Sequence, residues 1–370
     1  MAKIDDEPCC GAPAGPPSSH IERPGYQLWH FVEDLVETPV GPVPKVSTNL
    51  VMSDQMGAIR VRLGYKRNDY KVAPGLYCVG SPGPEDPVFV TANYKLSFDA
   101  LRRELTGISG WILVLDTRGI NVWCAAGKKT FSTEEVCRQV KATQLDKIIK
   151  HRELILPQLG APGVSAFDVR KACRFKVIWG PVQANDIPEF IRAGKKAEPH
   201  MRRPTFTLAD RLVLVPVELS LILSRTTVLV LFGIMLLSGI GTEIFSISAA
   251  WQRGLMAIAA LFSGVIAGAV LTPALLPWIP GKQFALKGII LGLMAGYATI
   301  FLHKGNISTL EIAAMVLSAV AISSYAAMNF TGATPYTSPS GVEKEMRRFM
   351  PVQALAVLGA IIAWVAAPFI

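Results

Sequence analysis

The six cysteines, Cys9, Cys10, Cys78, Cys124, Cys137 and Cys173, form no CxxC pair and no zinc-type spacing, which argues against a structural zinc site and a thioredoxin-like dithiol. Residues 1–24 lack an apolar run. They read as a flexible polar tail (1–25), not a secretory signal peptide. Despite a formal net charge of +9 there is no long basic tract and no RNA- or DNA-binding module. The charge therefore reads as a solvated face plus membrane-orienting residues, with no nucleic-acid partner. No His–Asp set accompanies any cysteine; His151, the histidine nearest Cys124 in sequence, stands alone. That weakens a nucleophilic-cysteine reading.

Apolar residues are plentiful, at 51% of the chain with a mean hydropathy of +0.36, and they concentrate after about residue 208. Five stretches, about 225–241, 252–273, 284–302, 309–328 and 350–370, each approach the ~20 residues needed to cross a ~30 Å hydrocarbon core. Together they predict a transmembrane domain over 209–370. Gly264 and Gly268 have the small-xxx-small spacing that lets helices approach closely. Lys195, Lys196, Arg202, Arg203, Arg211, Lys282, Lys344, Arg347 and Arg348 fall on one side of such a bundle. The positive-inside rule then predicts a multi-pass protein of the inner (cytoplasmic) membrane, with the N-terminal domain cytoplasmic and the C-terminus outside. A reducing cytoplasm would keep the cysteines as thiols. Residues 331–350 read as a long polar loop, and 195–208 as a basic linker.

Residues 26–194 alternate strand-like and helix-like pieces, which predicts an α/β domain with a largely parallel sheet. Strands are expected at 58–63, 76–79, 88–91, 111–115, 154–156 and 175–179. Helices are expected at 98–105, 132–152, 165–173 and from about 186. In such sheets ligands sit beyond the carboxyl ends of the strands. Segments 116–128, 158–163 and 180–186 should therefore share one rim.

Asn121-Val122-Trp123-Cys124-Ala125-Ala126-Gly127-Lys128 lies on that rim. Asn121 could cap a short helix and place Cys124 in its first turn, where the helix dipole and the Lys128 and Lys129 charges favour thiolate. Three readings stay open on these residues: a buried structural cysteine, a nucleophilic or redox cysteine, and an axial metal ligand. Cys9 and Cys10 form a vicinal thiol pair that could hold a soft ion such as Hg(II).

The 121–128 segment, with Ala92-Asn93-Tyr94-Lys95-Leu96-Ser97-Phe98-Asp99-Ala100-Leu101 upstream, resembles the corrinoid-binding domain of corrinoid iron–sulfur methyl carriers. Joined to five spans, it looks like the HgcA family of membrane corrinoid proteins of mercury methylation. The resemblance implies a Rossmann-like cobalamin-binding domain followed by an all-α bundle of five transmembrane helices. It further implies a cobalamin (corrinoid) cofactor bound base-off, with the Cys124 thiolate as lower axial ligand to cobalt and residues 121–128 capping the corrin. A methyl-tetrahydrofolate-type donor would supply the methyl group and Hg(II) would receive it, forming methylmercury. The four-cysteine cluster motif of the acetyl-CoA-pathway carriers is missing, which implies an external electron donor, a small ferredoxin-like protein with two iron–sulfur clusters. A membrane-bound soft-metal thiol relay without corrinoid is the alternative. In the corrinoid reading Trp123 and the 158–163 and 180–186 loops are expected to frame the corrin, with Gly160, Gly163 and Gly180 allowing its close approach.

Overall fold

In the computed structural model residues 30–222, 225–303, 305–332 and 339–370 are described. The expected tail 1–25, with Cys9 and Cys10, lies outside them. The chain divides into two units, one reaching Pro204 and the other Thr205–Ile370, with Arg62–Gly64 grouped with the second.

The first unit is built on one mixed seven-stranded sheet in the order β1-β2-β3-β5-β4-β6-β7. In chain order its elements are β1 (Val32–Val36), β2 (Val43–Val46), α1 (Met52–Arg62), β3 (Gly75–Val79), β4 (Val88–Ala92), α2 (Lys95–Glu104) and β5 (Gly110–Leu115). Then come α3 (Val122–Gly127), α4 (Thr133–Ala142), β6 (Glu153–Leu156), α5 (Ala166–Cys173), β7 (Lys176–Trp179) and α6 (Ile187–Arg192). β5, β4, β6 and β7 run parallel, whereas β3 joins β5, and β1 joins β2, antiparallel.

Each parallel strand alternates between two cores, as the two-residue period of a strand requires. Val88, Val90, Trp111, Leu113, Leu154 and Leu156 pack with α3, α4 and α5 through Val122, Ala125, Val136, Val140 and Val169. Phe89, Ile112, Val114 and Ile155 pack on the opposite face with Phe98 and Leu101 of α2 and Phe190 of α6. The chain leaves β4 toward β5, then crosses back to β6 on the other side of β4. The direction of winding therefore reverses between β4 and β6, and their carboxyl ends open a crevice of the kind where α/β sheets bind ligands.

Three expectations are corrected here. Residues 58–63 belong largely to helix α1, not to a strand. The alternation of apolar and basic residues misled because α1 exposes apolar side chains to the outside. β1 and β2 escaped notice because strands of five and four residues, one mostly exposed and the other interrupted by Pro44, give little periodicity. The helix expected over 132–152 stops at Ala142, after which Gln144 takes a left-handed φ of 47° and a short 3-10 turn follows.

The second unit begins with α7 (Leu208–Leu212), α8 (Val215–Ile222), α9 (Arg225–Ser238) and the small strands β8 (Ile240–Gly241) and β9 (Ile244–Phe245). α10 (Ile247–Val265) continues through a π-helical turn into α11 (Thr272–Leu275), and α12 (Phe284–Leu302), α13 (Thr309–Gly332) and α14 (Pro339–Ala366) complete the chain. Among the described residues four helical stretches are long and apolar enough to cross a membrane: Ile247–Leu275, Phe284–Leu302, Thr309–Thr331 and Gly341–Phe369. The stretch expected at 225–241 is α9, whose 14 residues reach only about 21 Å at 1.5 Å per residue. Much of the expected 331–350 loop is helical, because Val342, Glu345 and Phe349 bury one side of α14.

The bundle closes on small residues. A Cβ on Gly264 or Gly268 of the α10 stretch would strike the α13 backbone at Ala319 or Ser323. On α12, Gly288, Gly292 and Gly296 face Ser324, Val320 and Val316 in the same way.

Candidate functional site

The site is assembled at the carboxyl ends of β4, β5 and β6. α3 begins where Asn121 leaves extended conformation, and its side-chain oxygen accepts a hydrogen bond from Cys124 N at 2.9 Å. The expected N-cap is therefore formed, and Cys124 sits in the first turn of the helix.

α3 has two faces. Val122, Ala125 and Ala126 are buried in the core, while Trp123, Cys124, Gly127 and Lys128 are half-buried. At 100° per residue these four share one side of the helix, with Gly127 angularly between Trp123 and Cys124. Ala125 and Ala126 are small because the sheet lies close beneath them. Of the small residues after Cys124, Gly127 remains on the open side.

The rim glycines also turn inward, contrary to expectation. A Cβ on Gly160 would strike the Phe131 ring at 2.5 Å, and one on Gly163 would meet the Phe131 carbonyl oxygen and, at 2.9 Å, Ala126 Cα. A Cβ on Gly180 would lie 3.2 Å from Ile155. They permit chain packing, not ligand approach. Their packing does bring the 158–163 segment against α3, and Gln158 N donates to Pro181 O at 3.3 Å. The three rim segments are thus adjacent.

Asn93, fully buried at the end of β4, holds the loop that delivers α3. Its Oδ1 accepts from Thr117 N (3.1 Å) and Gly119 N (2.9 Å), and its Nδ2 donates to Asp116 Oδ1 (3.1 Å). Thr117 Oγ1 lies 2.9 Å from Asn93 Oδ1 and 2.6 Å from Ile120 O, and its one proton serves either. Arg118 and Gly119 adopt left-handed φ values of 59° and 76°, a conformation that needs such support at a residue with a Cβ. From the other side, Glu135 of α4 accepts from Asp116 N at 2.7 Å and is clamped by Arg138 at 2.6 Å and 2.8 Å. The role of Asn93 was not read from the sequence. Its signal was an amide residue directly after a fully apolar strand.

Below α2 lies a closed ion network. Lys95 Nζ is 2.6 Å from both Asp54 and Asp99, and Arg102 is 2.8 Å from each of the same two carboxylates. All four are buried. Burial pushes the Asp54 carboxyl up, but hydrogen bonds from Lys95 and His30 outweigh it and hold the group well below the usual carboxylate range. The spacing of Lys95, Asp99 and Arg102 at i, i+4 and i+7 places them on one helix face, a pattern visible in the sequence but not read from it.

Residues 65–191 match the family described as CO dehydrogenase/acetyl-CoA synthase delta subunit, CdhD. The chain is 34% identical over 127 residues to the acetyl-CoA decarbonylase/synthase complex subunit gamma of Archaeoglobus fulgidus, covering 34% of this chain and 27% of that protein. It is 32% identical over 127 residues to the Methanopyrus kandleri subunit gamma, with the same coverage. It is 28% identical over 170 residues to the corrinoid/iron–sulfur protein large subunit of Moorella thermoacetica, covering 43% of this chain and 38% of that protein. The matched region thus spans about a quarter to two-fifths of these relatives, and within this chain it centres on the α/β unit.

The donor set bears on which group could sit here. Among the described residues no three His, Cys, Asp or Glu side chains gather as a metal site. Cys124 is a soft donor that belongs to no such group among the described residues. A single axial thiolate suits a soft-to-borderline transition metal whose other positions a macrocycle already fills, and does not suit a free ion that needs a protein cage.

Proposed function

We propose that the α/β unit binds a cobalamin with its lower base displaced, and that the chain is a corrinoid-dependent methyltransferase passing a methyl group to Hg(II), in the manner of the HgcA family. The observation that carries this reading is the half-buried Cys124 on the capped turn at the carboxyl ends of the strands, within residues 65–191 that match the CO dehydrogenase/acetyl-CoA synthase delta subunit family, in a chain that is also similar to a corrinoid/iron–sulfur protein. When bound, the cofactor would supply a metal centre that accepts a methyl group and gives it up to a soft electrophile.

The chain's residues would do the rest. Cys124 would offer its thiolate to the metal. Asn121 holds the first turn of α3, and Trp123, Gly127 and Lys128 complete the face toward the group. Val122, Ala125 and Ala126 anchor the opposite face in the core. The methyl group would come from a methyl-tetrahydrofolate-type donor, and electrons from a small ferredoxin-like protein with two iron–sulfur clusters. In this reading α9 contributes a fifth span, the α/β unit lies on the cytoplasmic side of the inner membrane and the C-terminus lies outside.

Anaerobic purification with cobalt, corrinoid and visible-spectrum analysis tests the assignment. Wild type is expected to carry one cobalamin with a thiolate-type spectrum. Cys124→Ala is expected to lose methylmercury formation while still inserting in the membrane; full activity in that variant would overturn the axial role. Reconstituted protein without cobalt would instead support the soft-metal thiol relay, in which Cys9, Cys10 and Cys124 pass the ion.

A further inference from the structure

Helix α1 is buried on one side only. Val61 and Asp54 face inward, while Met52, Met56, Ile59 and, just past its end, Leu63 are 71%, 43%, 50% and 58% exposed. Spaced at i, i+4, i+7 and i+11, these four make one apolar stripe along the outer face of the helix. Arg60 and Arg62 lie about 80° to either side of the stripe's centre at 100° per residue. Lys66 and Arg67 follow directly, with Lys66 Nζ 5.9 Å from the ring centroid of the exposed Tyr65.

From 49 to 68 the only acid is Asp54, and it is committed to the buried network with Lys95 and Arg102. The outer face of α1 therefore carries Arg60 and Arg62 and no carboxylate, while Lys66 and Arg67 follow the helix with the exposed Asp69 just beyond them. Apolar residues occur on both sides of α1, since Val61 fills the core, so it is the exposed face alone, an apolar stripe flanked by Arg60 and Arg62 with Tyr65 beyond it, that suits a bilayer interface. A single such helix binds lipid weakly, but among the described residues this chain also carries four helices long and apolar enough to cross a membrane. Covalent tethering raises the effective concentration of lipid at α1 and makes weak contact sufficient.

We propose that α1 is a membrane-surface contact of the α/β unit, which lays Met52, Met56, Ile59 and Leu63 into an anionic phospholipid surface and sets Arg60, Arg62, Lys66 and Arg67 against the headgroups. The contact restricts how the unit can orient at the bilayer, independently of what the unit binds.

Met52 and Met56 report on it directly. The full chain is placed, one copy per nanodisc, in discs of phosphatidylcholine alone or with phosphatidylglycerol, and exposed to dilute peroxide. Sulfoxide formation at each methionine is followed by mass spectrometry, with buried Met201 as the internal check that the unit stays folded. Oxidation of Met52 and Met56 is expected to be about five-fold or more slower in the anionic discs. The double variant Arg60→Glu/Arg62→Glu is expected to remove that protection with Met201 still protected. Equal rates in both lipids, or protection that survives the charge reversal, would overturn the proposal. Discs loaded with two copies are run alongside, and protection confined to them would also overturn it, assigning the stripe to a second chain. None of these readings depends on cobalt content or methyl transfer, so failure here is distinguishable from failure of the corrinoid assignment.

Discussion

The two units of this chain solve the packing problem in opposite ways. The α/β unit fills both faces of its sheet with large branched and aromatic side chains, such as Phe89, Ile112, Leu113, Leu156 and Phe190, and expulsion of water drives that burial. The helical unit brings backbones together over Gly264, Gly268, Gly288, Gly292 and Gly296. Lipid tails are as apolar as leucine, so close van der Waals contact replaces the hydrophobic gain.

Buried charge differs in the same sense. The α/β unit keeps four ionised groups in a closed ring under α2. The bundle places its Arg253–Glu311 pair, 2.8 Å apart, near the helix ends, with Arg253 also donating to Trp364 O at 2.6 Å. Lys287, on α12, donates hydrogen bonds from Nζ to the Leu276 and Ile279 carbonyl oxygens. Charges at membrane depth persist only with such partners.

The contrast can be broken at several points. Asp54→Ala leaves Lys95 and Arg102 buried with one of their two carboxylate partners each, and should cost the α/β unit about 3–5 kcal/mol. Urea unfolding followed by hydrogen exchange in α2 measures it, and the bundle should be unaffected. The same network gives the unit an acid limit. Because the Asp54 carboxyl is held below its usual range, its contribution is complete above the unfolded value of about 4 and is lost as pH falls from there through the folded value. Unfolding midpoints at pH 7, 4 and 3 should drop steeply only over the last interval, and Asp54→Ala should flatten that drop.

Gly292→Leu forces α12 from Val320 on α13. It should destabilise the bundle by about 1–3 kcal/mol and leave the α/β unit's unfolding unchanged, as read by protease resistance in bilayers. At the site, Asn121→Ala removes the cap from Cys124 N and should cost about 1 kcal/mol. That change is too small to unfold the unit but is readable as faster amide exchange at Cys124.

Much of this was legible in the sequence, and the misses have physical causes. β3 to β7, the cap Asn121 and the helix starts near 132 and 165 were readable because a buried strand and a helix start are local signals. α1 was misread because its stripe faces outward and mimics strand alternation. The inner roles of Ala125, Ala126, Gly160 and Gly163 were not readable. A small residue has the same letter whether it makes room for a ligand or for its own chain.

By itself, the sequence determined that a water-facing α/β part precedes an apolar helical part, and that Cys124 follows a capping asparagine just after a buried strand. Those are consequences of period, propensity and composition, which act over a few residues. Only the tertiary structure decided that β4 sits between β5 and β6. That order puts Asn93 under the Asp116–Gly119 loop and packs Gly163 against α3. It also decided that Lys95, Asp99 and Arg102 meet Asp54 across more than forty residues of chain. Pairings at that separation depend on which strand lies beside which, and no local pattern carries that information.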